Sequence, residues 1–443
     1  MVPDEKNIAH PTFAKALRFW FKLGFISFGG TAGHIAIMHT ELVEKKKWIS
    51  ETRFLHALNY CMLLPGPEAT ELAIYIGWLL HKTLGGIVAG VLFILPSACM
   101  IWVLSYVYLM FGHVAWINSI FYGLKPAVLA IVAFAAIRIG KRALKNGLMW
   151  VVAGLAFVAL YFFKAPFTTI IAGAAIIGLL GQKLRPAKSS LEMANDDLAE
   201  KEAGVINDAV DSPAHTKSSW RRTVRVLAVG LVLWWVPVLA CVNWLGWNHT
   251  LSREGIFFSK AAMVTFGGSY AALQYVSQQG VQHFHWLDAG QMVDGLGLAE
   301  TTPGPLMIVL QFVGFLGGWQ HPGGLPRLLA ATVASAITVW ATFVPCFLWI
   351  FLGAPYIEQL RGNVKLTAAL SSVTAAVVGV VLNLAVWFGV NVLFPEAGPA
   401  HGVNWFAVAI SVIAFVGMFR WKWDIIPVIL GAGVAGILYR MAF

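Results

Sequence analysis

Residues 84–110 read LGGIVAGVLFILPSACMIWVLSYVYLM and contain no charged side chain. About 20 apolar residues in a helix are enough to cross the hydrocarbon core of a bilayer. Two further stretches without Asp, Glu, Lys or Arg occupy residues 328–357 and 366–395. A membrane-spanning β-barrel would show apolar residues at alternate positions, whereas these runs are continuous. The sequence therefore predicts an all-α protein that crosses a membrane several times.

The composition of the whole chain supports the same class. Its 443 residues are 58% hydrophobic and 12% charged, whereas soluble globular chains carry about 25% charged residues. The formal net charge is +10, but the basic residues flank apolar segments, which is a topology signal of membrane proteins. The four cysteines and 12 histidines show no metal-ligand or disulfide spacing. We therefore expect a lipid bilayer as partner, and no nucleic acid, metal or cofactor.

The two halves of the chain repeat one another. A Phe-Gly-Gly and a Pro-Gly-Pro motif each occur twice, 238 residues apart, at residues 28–30 and 266–268 and at residues 65–67 and 303–305. Trp48 and Trp286 have the same offset. Beyond residues 320–326 the offset becomes 249, so that Pro96 matches Pro345. We expect two homologous membrane halves, residues 1–181 and 223–443.

A polar segment, residues 182–222, joins the halves. It contains seven acidic and seven basic residues, and such a composition cannot bury an apolar core. We therefore expect a cytoplasmic linker that is mostly disordered. Residues 226–247 form one apolar segment that has no counterpart in the first half.

The charges of the loops predict that the halves have opposite orientations. Residues 38–53 and 138–145 are basic, whereas their counterparts 276–291 and 387–394 contain no Lys or Arg. Because basic loops stay cytoplasmic, the fold is predicted to be an inverted repeat in the cell (inner) membrane. The N-terminus would be cytoplasmic and the C-terminus external. About thirteen apolar segments are expected, and four of them are broken and either span or re-enter the membrane: residues 13–37, 54–80, 255–275 and 292–319.

The Pro-Gly-Pro motifs predict a break within a membrane segment of each half. Proline removes a helix hydrogen bond and clashes with the preceding turn, but it suits the first turn of a new helix. We expect helices to restart at Glu68 and Leu306, with the positive end of each helix at membrane depth. Broken backbone there is tolerated only inside protein or beside a water-filled cavity. Such paired breaks mark binding sites in transporters, and a purely structural kink is the alternative.

The candidate anion-binding residues belong to these motifs or lie near them. They are Gly29, Gly30, Pro65, Gly66, Pro67, Gly267, Gly268, Thr301, Thr302, Pro303, Gly304, Pro305, Lys22, Lys260 and Lys125. For the glycines the alternative is close helix packing, and for the threonines it is helix capping. Lys22 and Lys260 occupy equivalent positions, where lysines often extend to the membrane interface instead.

Four acids are candidates for proton coupling or for the orientation of a buried cation: Glu68, Glu71, Asp294 and Glu300. Glu68 and Glu71 are three residues apart and share one helix face. Their counterparts are Leu306 and Val309, so the acidic pair is not symmetric. The alternative for Glu68 is a favourable charge at a helix N-terminus.

These motifs resemble those of the chromate ion transporter family in its long, two-domain form. The resemblance is carried by GFISFGG at residues 24–30, LPGPEA at 64–69, YIGWL at 75–79, TFGG at 265–268 and TTPGP at 301–305. It implies efflux of chromate from the cytoplasm, which gives chromate resistance, with sulfate as the expected competitor.

Outward movement of a dianion needs no ATP. An inside-negative membrane favours the export of each negative charge by about 2.3 kcal/mol per 100 mV, and the chain has no Walker A motif. A secondary carrier with alternating access is therefore expected, rather than an enzyme. The alternatives are a transporter of sulfate or another oxyanion, an anion channel, and a membrane-embedded chromate reductase, which no Cys/His constellation supports. A homodimeric state stays open.

Overall fold

The computed structural model describes residues 10–62, 64–112, 114–184, 219–266, 268–356, 364–394 and 402–442, and these residues form helices and no strand. The predicted linker falls mostly on residues 185–218, which lie outside the described residues. The first half contains α1 (Phe13–Ile26), α2 (Gly30–His39), a π-helical turn (Thr40–Lys45), α3 (Glu51–Cys61), α4 (Glu68–Phe111), α5 (Ala115–Ala143), α6 (Gly147–Tyr161) and α7 (Phe167–Leu184). The connecting helix is α8 (Trp220–Leu245).

The second half contains α9 (Thr250–Val264), α10 (Ser269–Ser277), a π-helical turn (Gln278–His283), α11 (Ala289–Thr301), a 3-10 turn (Leu306–Ile308), α12 (Val309–Gln320), α13 (Arg327–Gly353), a 3-10 turn (Ala354–Tyr356), α14 (Val364–Leu393), α15 (Trp405–Arg420) and α16 (Ile425–Ala442). Apart from α8, this order repeats that of the first half, with α12 and α13 in place of α4.

Several helices are long enough to cross a membrane, which confirms a multi-pass membrane protein. In the described parts of the chain, six are both long and apolar enough: Glu68–Phe111, Ala115–Ala143, Trp220–Leu245, Arg327–Tyr356, Ala368–Leu393 and Ile425–Ala442. The connecting helix α8 exposes apolar side chains such as Val232, Val236 and Leu239. Such a surface suits contact with lipid.

The helix α4 is a hairpin of two helical arms. Its backbone leaves the helical conformation at His81 and Lys82. Gly77 and Gly85 then face each other so closely that neither has room for a side chain. The arm that starts at Glu68 therefore folds back on the arm that contains residues 84–110. In the second half, α12 and α13 pack in the same way, with Gly318 against Ala330 and Ala334.

Equivalent helix starts have equivalent caps. Ser50 accepts a hydrogen bond from the third amide of α3, and Asp288 does the same at α11. Asn146 and Asn404 cap α6 and α15 in the same manner, each at 3.0 Å. Side chains that accept these amide protons satisfy donors left over at a helix start. The repeat in sequence is therefore also a repeat of local structure.

The two halves interlock through their long helices. Gly123 of α5 lies against Ala432 and Gly436 of α16, and Gly178 of α7 lies against Ser372 of α14. The last helices of each half thus pack on the long helix of the other half. Small residues allow this close approach of helix backbones.

The equivalent helices α5 and α14 run in opposite directions where they pack together. A methyl group built on Gly140 would lie 3.4 Å from Val378, and one built on Gly389 would lie 3.7 Å from Leu129. As the residue number rises along α5, it therefore falls along α14. Gly140 and Gly389 are equivalent positions of the repeat, and so are Leu129 and Val378.

Candidate functional site

Each Pro-Gly-Pro break is hydrogen-bonded to the backbone of the opposite half. The Gly66 N–H donates to the Thr265 carbonyl at 2.9 Å, and the Gly304 N–H donates to the Ser27 carbonyl at 2.7 Å. Ser27 and Thr265 each stand directly before a Phe-Gly-Gly motif. The four broken segments therefore meet in two equivalent crossings. These two glycine amides are used by the protein and are not available to an anion.

Side chains near the crossings explain the glycines of the breaks. A methyl group on Gly66 would lie 3.1 Å from the sulfur of Cys346, and one on Gly304 would lie 2.5 Å from the hydroxyl of Ser97. Cys346 and Ser97 each follow a proline inside a long helix. Gly304 also has a φ of +104°, which residues with a side chain rarely adopt.

The Phe-Gly-Gly glycines have left-handed backbone and open surroundings. Gly29, Gly30 and Gly268 have φ values of +93°, +67° and +102°, whereas Gly267 lies outside the described residues. A methyl group on Gly30 would meet no atom within 4 Å. Backbone conformation, rather than close helix packing, therefore requires glycine here. Around Gly29 and Gly268 the nearest atoms to such a methyl group lie at 3.7 and 3.9 Å, so that the backbone of these glycines is not crowded by other side chains.

The restart of the helix at Glu68 is confirmed, because α4 begins there after the N-cap Pro67. In the second half the chain restarts at Leu306 as a 3-10 turn that leads into α12. The first amides of such helices have no acceptor within the helix. A methyl group on Gly268 would have the Glu68 carboxylate as nearest atom, at 3.9 Å. The acid of the first break thus lies at the Gly-Gly pair of the second half.

Glu71 lies deeper than Glu68. Its side chain is fully buried and neither carboxylate oxygen has a hydrogen-bond partner, whereas Glu68 is partly accessible. Glu254, which the sequence reasoning did not select, is also fully buried with both oxygens unpartnered. An ionised carboxylate in such a position is costly unless a positive group or a hydrogen-bond donor compensates it. Buried acids of this kind are candidates for function.

The acids before the second break have tyrosine partners. Asp294 accepts a hydrogen bond from the Tyr108 hydroxyl at 2.8 Å and lies 3.4 Å from the Lys125 ammonium. Glu300 accepts a hydrogen bond from the Tyr270 hydroxyl at 2.7 Å. Sequence reasoning missed both tyrosines. Both tyrosines could have been selected from the sequence, because each places a hydroxyl group within an apolar segment. A buried tyrosine hydroxyl usually needs a hydrogen-bond partner.

Two arginines at the end of α5, of which Arg142 is exposed, lie within electrostatic range of acids at the breaks. Arg142 and Arg138, four residues apart on the last turns of α5, act electrostatically on Glu68 and Glu300 respectively. Residues at that spacing share one helix face. The sequence reasoning used them only as a topology signal. Their spacing was the sign that they form a pair.

The remaining candidate lysines lie on exposed surfaces. Lys22 and Lys260 are both exposed, and Phe21 and Phe25 beside Lys22 are exposed as well. An apolar surface of this kind is typical of a lipid-facing helix side. The placement of the two lysines fits extension to the membrane interface. Lys125 is different because it contacts a buried acid.

The candidate threonines donate their hydroxyls to the helix that they end. Thr301 donates to the Leu298 carbonyl at 2.7 Å, and Thr302 donates to the Ala299 carbonyl at 3.0 Å. Both hydroxyls therefore satisfy carbonyl groups at the end of α11. Over the part of the chain that the structure describes, no group of three His, Cys, Asp or Glu side chains could hold a metal ion.

Comparison with known proteins gives matches over most of the chain. The family model described as "Chromate transporter" matches residues 14–179 and 254–437. The chain is 31% identical to the chromate transport protein of Cupriavidus metallidurans over 85% of this chain and 82% of that protein. It is 30% identical to the chromate transport protein of Pseudomonas aeruginosa over 96% of this chain and 91% of that protein. No solved structure matches.

Proposed function

Because the chain belongs to the chromate transporter family, we propose that it exports chromate from the cytoplasm as a secondary carrier and thereby confers chromate resistance. The observation that carries this proposal is the pair of equivalent crossings between Pro-Gly-Pro and Phe-Gly-Gly segments. Broken helices that meet in the interior of an inverted repeat are typical of substrate sites in secondary transporters.

The anion would bind in the open space beside Gly29, Gly30 and Gly268. Free amides at the start of α4 and the charges of Arg138 and Arg142 are suitable partners for a tetrahedral dianion. Burial of a bare ion costs several kcal/mol unless such groups replace its water. Sulfate has the same shape and charge, so the same site would accept it as a competitor.

The protonation or pairing of the acids would determine when the site can bind a dianion. Glu68 lies at the Gly-Gly pair of the other half, where its negative charge would oppose a dianion. Protonation of Glu68, or its pairing with Arg142, would remove that repulsion. Glu71, Asp294 and Glu300 would hold or move protons, or orient Lys125. Export itself needs no coupled proton, because the membrane potential already favours it.

The antiparallel packing of α5 and α14 supports opposite orientations of the halves. Lys145 and Val403 occupy equivalent positions before the caps of α6 and α15, and the proposal puts them on opposite sides of the membrane. A Lys145→Cys variant should react with a membrane-impermeant thiol reagent only from the cytoplasmic side, and Val403→Cys only from outside. Reaction of both from one side would refute the inverted orientation in the inner membrane.

Transport is tested by measuring chromate accumulation in cells, and the binding site is tested with a variant that places a side chain in the open space beside Gly30. Cells that make the protein should accumulate less chromate than cells without it, and external sulfate should not abolish the difference. Asparagine tolerates left-handed backbone, and no atom crowds Gly30, so Gly30→Asn should fold but lose most of the transport. Gly324→Asn is the matched control, since Gly324 also has a positive φ, of +90°, and open surroundings. It lies between α12 and α13 in a turn closed by a hydrogen bond from the Leu325 N–H to the Pro322 carbonyl, where asparagine is well tolerated.

Unchanged accumulation in cells with wild-type protein in their membranes would refute chromate export. Full activity of Gly30→Asn would leave export intact but move the binding site elsewhere. Rates that rise without saturation as chromate increases would favour an anion channel over a carrier.

A further inference from the structure

A pocket with both apolar and polar lining lies apart from the two crossings. It is formed by the loop after α6, by α10 with the π-helical turn that follows it, and by the second half of α14. Its cavity volume is about 190 Å³, and it is open to the outside of the protein. The polar residues that line it are Lys164, Gln274, Ser277, Gln278, Gln282 and Asn383.

The lining of this pocket favours an anion. None of the residues that line it is acidic, and Lys164 contributes a positive charge. Ser277 and Gln274 are buried, with exposed fractions of 1% and 6%. The Ser277 hydroxyl has no partner and can donate to an anion, whereas the unpartnered side-chain oxygen of Gln274 is an acceptor, so that only the amide nitrogen of Gln274 counts as a donor. Buried polar groups without partners are costly. Amide N–H₂ groups, a hydroxyl and an ammonium are all donors, which is what the oxygens of an oxyanion require.

The position of the pocket follows from the loops that form it. Residues 276–291 and 387–394 lack Lys and Arg, so the topology proposed above puts them outside the cell. The offsets of the repeat give their counterparts at the cytoplasmic end. Trp387 of the pocket corresponds to Arg138, and Val390 corresponds to Lys141. The cytoplasmic end is therefore the more positive of the two.

Among the positions that line the pocket, that of Lys164 carries a lysine in both halves of the repeat. After the caps Asn146 and Asn404 the offset of the repeat is 258, so that the counterpart of Lys164 is Lys422. Both lysines have left-handed backbone, with φ values of +49° and +55°. Lys164 stands alone in the pocket, whereas Lys422 is accompanied by Arg138 and Lys141 at the corresponding positions. An anion is therefore attracted more weakly at the external pocket than at the cytoplasmic end.

We propose that this pocket is a second binding site for the transported oxyanion, of low affinity, at the external end of the path. The inference rests on the proposed export function, which supplies the ligand and the orientation. A wide pocket with one cation lets a tetrahedral dianion keep part of its water. That property suits release, because an ion held weakly leaves readily.

The test measures occupancy of the pocket without relying on transport. Cys99 and Cys241 are first replaced by serine, because they are accessible and could react with the thiol reagent. The other two cysteines, Cys61 and Cys346, are buried and can stay. Gln278→Cys in right-side-out vesicles is then treated with a membrane-impermeant thiol reagent, with sulfate or chloride as the probe. Sulfate at nine times its dissociation constant should slow the reaction about tenfold, since only the empty fraction reacts. Lys164→Gln in the same background should weaken this protection several-fold.

Gln320→Cys is the matched control, because Gln320 is exposed and does not line the pocket. Its reaction should be insensitive to sulfate. Equal protection of Gln278→Cys by chloride and sulfate, or protection that Lys164→Gln leaves unchanged, would overturn the external site. If sulfate protects but no chromate moves, the proposed export is wrong and the pocket still binds oxyanions. If chromate moves but sulfate gives no protection, the pocket inference alone is wrong.

Discussion

The two Pro-Gly-Pro breaks share a scaffold but differ in chemistry. At both breaks the glycine N–H donates to a carbonyl just before the Phe-Gly-Gly motif of the other half. The first break is followed by Glu68 and Glu71, whereas the second is followed by Leu306 and Val309. The acids of the second half precede the break and are bound by tyrosines and Lys125. The scaffold is therefore symmetric and the charge around it is not.

This difference suggests a division of roles. The two equivalent backbone hydrogen bonds would hold the broken segments together in both the inward-facing and the outward-facing conformation of the carrier. If the protein exports an anion as proposed, the asymmetric charge would give the two ends of its path different affinities for that anion. Changes to the scaffold should therefore affect stability most, and changes to the acids should affect transport most.

The largest expected effect is on the scaffold. Gly304→Ala forces a side chain into left-handed backbone and against Ser97. Backbone strain and overpacking each cost about 1–3 kcal/mol. The variant should therefore lose about 2–6 kcal/mol of stability, measured as a lower unfolding temperature in detergent.

Gly66→Ala is the comparison for Gly304→Ala. At Gly66 φ is +159°, which is nearly extended, and the atoms in the way belong to the side chains of Glu71 and Cys346. Because side-chain atoms are nearest at both glycines, the difference lies in the backbone: Gly304 is left-handed and Gly66 is nearly extended, so the loss at Gly66 should be smaller. A larger loss at Gly66 than at Gly304 would contradict this description of the two crossings.

Loss of Lys125 should have the next largest effect. Lys125→Met leaves the buried Asp294 without its cation. Removal of one partner of a buried pair costs about 3–5 kcal/mol, and the loss here should be smaller because the Lys125 side chain is 33% exposed. In the double variant with Asp294→Asn, unfolding should return close to wild type while transport stays impaired. Failure of the second change to restore stability would mean that Lys125 acts through packing alone.

A third change makes the first break resemble the second. Glu71→Leu replaces a buried, unpartnered carboxyl with an apolar side chain, as at Val309. Replacement of buried charges by apolar groups is often neutral or stabilising by about 1–4 kcal/mol. We expect an unchanged or raised unfolding temperature together with reduced chromate flux. Glu254→Leu is the comparison, because it removes the other buried, unpartnered carboxyl, and equal losses of flux in both variants would remove the special role of Glu71.

The smallest expected effect lies outside the membrane, in the π-helical turn of the first half. Hydrogen bonds from Lys45 and Lys46 lower the pKa of Glu41 from 4.5 to about 2, whereas the counterpart Gln279 is neutral. Because the folded pKa is the lower one, this stabilisation is present above about pH 4.5 and is lost as pH falls to about 2. Glu41→Gln should cost less than about 1 kcal/mol at neutral pH. Titration of unfolding temperature in low and high salt measures it, and a loss that salt does not reduce would contradict an ionic origin.

The sequence was sufficient to predict the helical class, the breaks and the restart at Glu68. Those features follow from apolar runs and from proline chemistry, which are local. The crossings at Gly66 and Gly304 were not predictable, because backbone hydrogen bonds between distant segments leave no side-chain pattern. The pairing of Tyr270 with Glu300 was missed for a related reason: one sequence does not tell which buried hydroxyl faces which acid. The exposure of Lys22 required the packing of α1 to be known.

The central claim is that chromate crosses the membrane outward through the space between the two crossings, driven by voltage. The most direct measurement is the initial rate of chromate flux from the cytoplasmic face of reconstituted protein, with the potential and the pH set separately. The account predicts a rate that saturates with chromate, rises as the cytoplasmic side becomes more negative at constant pH, and falls to background in Gly30→Asn but not in Gly324→Asn. A rate that is independent of voltage, or that is the same in both variants, would contradict it.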